Sequence, residues 1–285
     1  MAEVLRGAPV IQAMKERLIP EVEQLKGRGI IPTLAILRVG ERQEDLAYER
    51  GAVKRLDSIG AAVRVVTLPA DVSQEDFDIA LQALNEDTSV HGILLFAPLP
   101  KHLDIRRART MLAPHKDVDG CTDASLAGVF TGSGVGFPPC TAQAVMEILH
   151  HYGIAVEGKK AAVIGRSLII GRPVAQLLMA ENATVVNLHR KTVDSEGIAS
   201  KADILVAACG ELRLVSPAYT NPDQVVIDVG VNWDTEKGGI AGDVDFDAVE
   251  PAVKAITPVP GGVGSVTTSV LASHVVEAAK KAAGK

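Results

Sequence analysis

A chain of 285 residues, 47% hydrophobic and 22% charged, is long enough for two globular domains, each with its own core. A net charge of −6 argues against a general nucleic-acid binder, and no apolar run approaches the roughly 20 residues of a membrane span. Aromatics are only 3% of the chain, so Val, Ile, Leu and Ala must fill the interior, a composition that suits buried parallel strands between helices. Cys121, Cys140 and Cys209 stand far apart, and the seven histidines show no ligand spacing. The cysteines therefore read as reduced thiols of a cytoplasmic protein, with no metal site. The N-terminus MAEVLRGAPV lacks a signal peptide's apolar stretch, which agrees with that compartment.

From the N-terminus, Pro9 to Arg28 carries Ile11, Met14, Leu18, Val22 and Leu25 at helical spacing, and Gly29 follows as a stop. PTLAILRVG reads as a strand, Asp45 to Ser58 as a helix closed by Gly60, and AAVRVVTLP as a second strand. Ser73 predicts the cap of the next helix, with Glu75 and Asp76 against its positive end. HGILLFAPLP supplies a third strand, so the alternating order predicts a parallel sheet. A polar stretch rich in Gly and Pro, Asp117 to Pro139, divides the chain. A helix from Ala142 to His151 then leads into four short apolar strands, AAVIG (161–165), ATVVNL (183–188), DILVAAC (203–209) and VVIDVG (225–230). Strands of this kind ending in turns describe a doubly wound, Rossmann-like domain. From Thr267 the chain is helical again to Ala283, a segment that could return to the first domain. The expected class is thus two-lobed α/β, with residues 1–140 completed by 267–285 in one domain and 141–266 in the other.

The first strand of the second series runs straight into RSLIIGRPV and a helix, with Gly165 and Gly171 bracketing the turn. Such a turn can hold a pyrophosphate on backbone N–H groups at the helix N-terminus, although an ordinary strand-to-helix turn would read the same way. The next strand ends Leu188-His189-Arg190-Lys191, with no acid to bind a ribose 2′-OH. Arg190, and Arg166 from the first turn, would instead suit a 2′-phosphate, so NADP is expected over NAD. A solvated basic loop is the alternative.

Four segments go beyond generic Rossmann character: HKDVDG (115–120), PPCT (138–141), VIGRSLIIGRP (163–173) and ITPVPGGVG (256–264). Together with GILLFAPLP, VIDVGVN and GDVDF they resemble the methylenetetrahydrofolate dehydrogenase/cyclohydrolase family over almost the whole chain. The resemblance implies a cytoplasmic homodimer with a folate substrate held in a cleft between the lobes, and no membrane or nucleic-acid partner. It implies that Asp119 anchors the pterin, where a carboxylate can accept two hydrogen bonds, and that Tyr48 stacks on the folate. Both would act in catalysis. Pro260, Gly261, Gly262 and Gly264 would bring backbone close to the ligands. Gly165, Arg166, Ser167 and Val231 match the family's NADP contacts.

The chain also departs from the family pattern. The family helix reads Tyr-x-x-x-Lys, with that lysine serving the cyclohydrolase step, but Ala52 follows Tyr48 at that spacing here. Lys54 lies about 200° around the helix from Ala52. Phe96 takes the place of the family's glutamine, Asp45 that of a serine, and Ser265 that of a proline. Oxidation of the one-carbon unit relies on cofactor and alignment, whereas ring opening needs a positioned proton carrier. A dehydrogenase with weak or lost cyclohydrolase activity is therefore the expectation. A fully bifunctional enzyme using Arg50, Lys54 or Asp45, and a silent folate- or nucleotide-binding paralogue, are its rivals.

Overall fold

The short strand β1 (Glu3–Val4) precedes a 21-residue helix, α1 (Gly7–Gly27), whose buried stripe is Val10, Met14, Leu18, Val22 and Leu25. Next come β2 (Thr33–Val39), α2 (Gln43–Asp57), β3 (Ala62–Leu68), α3 (Gln74–Glu86), β4 (Gly92–Leu95), α4 (Ile105–Met111) and α5 (Asp123–Thr131). The computed structural model describes residues 1–284 and divides into two compact units. One comprises Ala13–Cys140 and the residues from Thr268 onward; the other comprises Met1–Gln12 and Thr141–Thr267.

In the first unit β2 is the central strand, paired in parallel with β3 on one side and β4 on the other. Its residues Leu34 to Val39 are buried without alternation, the pattern of a strand covered on both faces. Phe77, Leu81 and Leu84 of α3, with Ala108 and Leu112, cluster with Ala35, Leu37 and Val39. Ser73 caps α3, its Oγ accepting from Asp76 N at 3.0 Å. In α2, Glu44 and Asp45 lie in the first turn and Lys54 and Arg55 in the last, each complementing its end of the helix dipole.

The chain continues through α6 (Cys140–His151), β5 (Lys160–Ile164), α7 (Gly171–Ala180), β6 (Thr184–Leu188), α8 (Ser195–Ala199), β7 (Ile204–Ala207) and β8 (Val225–Asp228). A hairpin of β9 (Asn232–Asp234) and β10 (Gly239–Ala241) follows, then α9 (Phe246–Val249), β11 (Ala255–Ile256) and α10 (Val263–Ala283). The second unit's sheet is parallel throughout, in the order β1-β11-β8-β7-β5-β6. Connections therefore run outward in both directions from β5, which makes its C-terminal end a topological switch point, where ligands of open α/β sheets bind.

Two boundaries differ from expectation. Residues 1–12 sort with the second unit instead of completing 1–140, because β1 pairs with β11 at the sheet edge, Glu3 opposite Ala255 and Val4 opposite Ile256. The Gly- and Pro-rich stretch expected to divide the chain is not a linker, because it holds α5 and packs within the first unit. Among the described residues, no helix is long and apolar enough to cross a membrane.

Candidate active site

A cavity of about 940 Å³ opens where β5, β6 and β7 end, lined by Gly165, Arg166, Ser167, His189, Arg190 and Cys209 among others. Gly165 has φ +129°, and a Cβ there would lie 2.1 Å from Ala208 O. A Cβ on Gly171 would lie 2.3 Å from Gly165 O, so strand, turn and helix meet at a distance only glycines permit. Ser167 Oγ accepts from Ile170 N at 3.1 Å and holds the turn that opens α7. The lining carries Arg166, Arg190 and Lys191 against one acid, Glu211. A backbone cradle at a helix start with a cationic far end fits a dinucleotide bearing an extra phosphate. Sequence reading named Gly165, Arg166, Ser167 and Arg190, and all four line this one cavity. Val231 does not line it and is 66% exposed after β8.

Two buried carboxylates, which sequence reading passed over, shape the cavity wall. Asp243 Oδ2 accepts from Cys209 N (2.7 Å) and Gly210 N (2.9 Å), and Oδ1 from Glu211 N (3.0 Å). Asp228 in turn accepts from Gly230 N, Asp243 N and Val244 N at 2.9–3.0 Å. Burial raises the Asp228 carboxyl to about 6 despite those donors. The VIDVGVN and GDVDF motifs thus hold one another and the loop after β7. Their signal in the sequence is an Asp within two residues of a Gly near a strand end, which does not say what it binds.

In the first unit the HKDVDG and PPCT segments come together. A Cβ on Gly120, at φ +69°, would lie 2.5 Å from the Pro138–Pro139 peptide, so only glycine allows the approach. Asp117 is fully buried and accepts from Cys121 N (3.0 Å), Thr122 N (2.8 Å) and Ser125 Oγ (2.6 Å), organising the start of α5. Lys116 donates from Nζ to Leu84 O (3.0 Å) and Asp87 O (2.7 Å) at the end of α3. Asp119 joins the two segments only through its backbone oxygen, which accepts from Cys140 N at 3.4 Å, and leaves its carboxyl out of this scaffolding. Burial, and the Asp117 charge nearby, raise its carboxyl from the ordinary range to about 7, with the neighbouring Cys140 thiol opposing the shift.

Cys140 is buried; its thiol donates to Val118 O at 3.2 Å and lies 3.7 Å from His274 Nδ1. Tyr48, half-buried on α2, meets the Phe96 ring edge-on at 5.9 Å between centroids. Burial, then the Asp119 and Cys140 charges, raise its phenol. Ala52, one turn along α2, is fully buried, while Lys54 is exposed and lines a shallow groove with Arg50 on another face. The structure therefore brings Tyr48, Phe96, Asp119 and Cys140 into one cluster; sequence reading had not assigned Cys140 a role. Pro260, Gly261 and Gly262 belong to the other unit, in the turn before α10, where Gly261 O accepts from Gly7 N at 2.8 Å.

Residues 139–283 match the NAD(P)-binding domain of the tetrahydrofolate dehydrogenase/cyclohydrolase family, and residues 5–119 match its catalytic domain. The chain is 52% identical over 279 residues to the Bifunctional protein FolD of Carboxydothermus hydrogenoformans, covering 98% of this chain and 97% of that protein. It superposes with a TM-score of 0.94 on the crystal structure of the bifunctional FolD methylenetetrahydrofolate dehydrogenase/cyclohydrolase of Campylobacter jejuni, at 36% identity and 99% coverage of both chains. The Trypanosoma brucei FolD structure, solved with NADP cofactor and an inhibitor, gives 0.91 at 35% identity over 100% of this chain and 99% of that one. The first relative is named bifunctional and the two structures carry both dehydrogenase and cyclohydrolase in their names, which overturns the expectation of a weak or lost cyclohydrolase half. Taken with the nucleotide cavity and the Asp119 cluster, these matches show that the chain belongs to the tetrahydrofolate dehydrogenase/cyclohydrolase family.

Proposed function

We propose that this chain is a bifunctional enzyme that oxidises 5,10-methylenetetrahydrofolate to 5,10-methenyltetrahydrofolate with NADP⁺ and then opens the methenyl ring to 10-formyltetrahydrofolate. The observation that carries this reading is the 940 Å³ cavity with its glycine cradle and basic end, in a chain that aligns end to end with bifunctional relatives. When bound, NADP⁺ supplies the oxidant for the first step. Gly165 and Ser167 hold the phosphates, and Arg166 and Arg190 hold the 2′-phosphate. Asp119 and Tyr48 hold the pterin.

Ring opening adds water to the bridging carbon. The methenyl compound is a cation, so the water gives up both protons: one ends on N5 as its bond to that carbon breaks, and the other is released to solvent. Ala52 and Phe96 offer no group for this transfer. Tyr48, Asp119 and Cys140 are the titratable side chains of the cluster, and Asp119, at about 7, has the affinity a proton carrier needs near neutral pH. The free thiols of Cys121, Cys140 and Cys209 support a reducing compartment, and the family resemblance supports a homodimer, which sedimentation would test. One assay decides the main reading. With methylenetetrahydrofolate and NADP⁺, the purified protein is expected to form NADPH and then formyl product faster than buffer alone hydrolyses the methenyl compound. NADPH without enzymatic hydrolysis, or neither product, would overturn it.

A further inference from the structure

In a Rossmann unit, the residue at the end of the second strand meets the ribose 2′ position. Here β6 ends at Leu188, and the next residue is His189, which lines the nucleotide cavity beside Arg190 and Lys191. A tight turn fixes its ring. Thr192 N donates to His189 O at 2.7 Å, and His189 N donates to Thr192 Oγ1 at 2.9 Å. Lys191 N donates to His189 Nδ1 at 3.1 Å, and Thr192 Oγ1 lies 3.4 Å from the same nitrogen. A backbone N–H can only donate, so Nδ1 is the acceptor and the ring's proton sits on Nε2. The tautomer follows from the turn.

We propose, building on the NADP reading above, that His189 is a third recognition group for the cofactor's 2′-phosphate, donating from Nε2 while Nδ1 stays tied to the turn. The chemistry favours a phosphate over a ribose hydroxyl. Within the turn His189–Thr192, the side chains free to face a ligand are a ring N–H donor, a guanidinium and an ammonium, all donors, with no carboxylate to accept from a 2′-OH. Arg190 and Lys191 are exposed, long side chains that lose rotamer freedom when they bind. The His189 ring is already held, so its contact costs less ordering and reports the phosphate's position.

Two substitutions separate direct contact from support of the turn. In His189→Asn the side-chain oxygen can replace Nδ1 as acceptor for Lys191 N, but nothing replaces the Nε2 donor. His189→Gln reaches the Nε2 position with an amide N–H and forgoes the Nδ1 acceptor. Binding of NADP⁺, NAD⁺, 2′,5′-ADP and 5′-AMP would be measured by titration calorimetry on the full chain. His189→Asn is expected to weaken NADP⁺ and 2′,5′-ADP about tenfold, with NAD⁺ and 5′-AMP changing less than about twofold, and His189→Gln to retain more of the NADP⁺ affinity. Equal weakening of all four ligands would make His189 a turn support only and overturn the proposal, as would unchanged binding of all four. A wild-type chain that binds NAD⁺ as tightly as NADP⁺ would overturn the cofactor reading itself, which the Asn variant's result leaves intact.

Discussion

Asp117 and Asp119 stand two residues apart in one motif, and their surroundings give them opposite work. Asp117 spends its oxygens on Cys121 N, Thr122 N and Ser125 Oγ, whereas Asp119 sits where burial raises its carboxyl to about 7. Between about pH 4 and pH 7 the folded chain holds the Asp119 proton and the unfolded chain does not. This group therefore makes stability fall as pH rises across that window and level off above it, by up to about 4 kcal/mol. Asp119→Asn should remove that dependence, so thermal melting at pH 8 should show a variant more stable than wild type. The same variant should lose folate turnover while keeping NADP⁺ binding, and folate kinetics close to wild type would remove Asp119 from the site. At the nucleotide end, Arg190→Ala should cost about 1.5–3 kcal/mol of NADP⁺ binding, one to two decades in KM, with NAD⁺ nearly unaffected. Equal weakening toward both would count against a 2′-phosphate contact.

The turn between β5 and α7 is the element on which nucleotide binding depends. Its backbone passes so close to Ala208 O that Gly165→Ala puts a methyl group at 2.1 Å from an oxygen, at a φ an L-residue rarely adopts. Strand ends must part to relieve the contact. The variant is expected to lose about 2–4 kcal/mol of stability and nearly all NADP⁺ binding, measured by denaturant unfolding and calorimetry. A stable variant that still binds NADP⁺ would mean the turn yields without cost. Asp243 tests the same element from behind. Asp243→Ala orphans the N–H groups of Cys209, Gly210 and Glu211, and should raise KM for NADP⁺ although Asp243 does not line the cavity.

At the scale of the whole chain, each unit is completed by one end of the sequence, Met1–Gln12 in one and the residues from Thr268 onward in the other. Val270, Leu271, Ala272, Val275, Val276 and Ala279 of α10 are buried in the unit that otherwise comprises Ala13–Cys140. Truncation after Thr267 should therefore strip one core and leave the other. Limited proteolysis of that truncated chain is expected to degrade residues 13–140 first, with a fragment from Thr141 onward surviving longer. Equal resistance of both regions would show that α10 contributes little. Saturating NADP⁺ at 100 times its Kd should add about 2.7 kcal/mol to the unfolding free energy of the wild-type chain.

Local periodicity was enough to read most elements from sequence alone, because the 3.6-residue helical stripe and the short apolar strand run are properties of neighbouring residues. The alternating order makes both sheets legible as parallel, and the spacing of Gly165 and Gly171, with the basic end of β6, marks a nucleotide turn in the sequence itself. Tertiary structure decided the rest. Only the pairing of β1 with β11 shows that residues 1–12 leave the first unit, since a two-residue strand has no period to read. Only burial and hydrogen-bond partners separate Asp117 from Asp119, give Asp228 and Asp243 their scaffold roles, and place Cys140 beside Asp119. Asp243 meets the loop after β7 across 32 to 34 residues of chain, and Cys140 and His274 reach Val118 O from 22 and 156 residues away. Contact at that range follows from how the whole chain packs, and no window of sequence contains it.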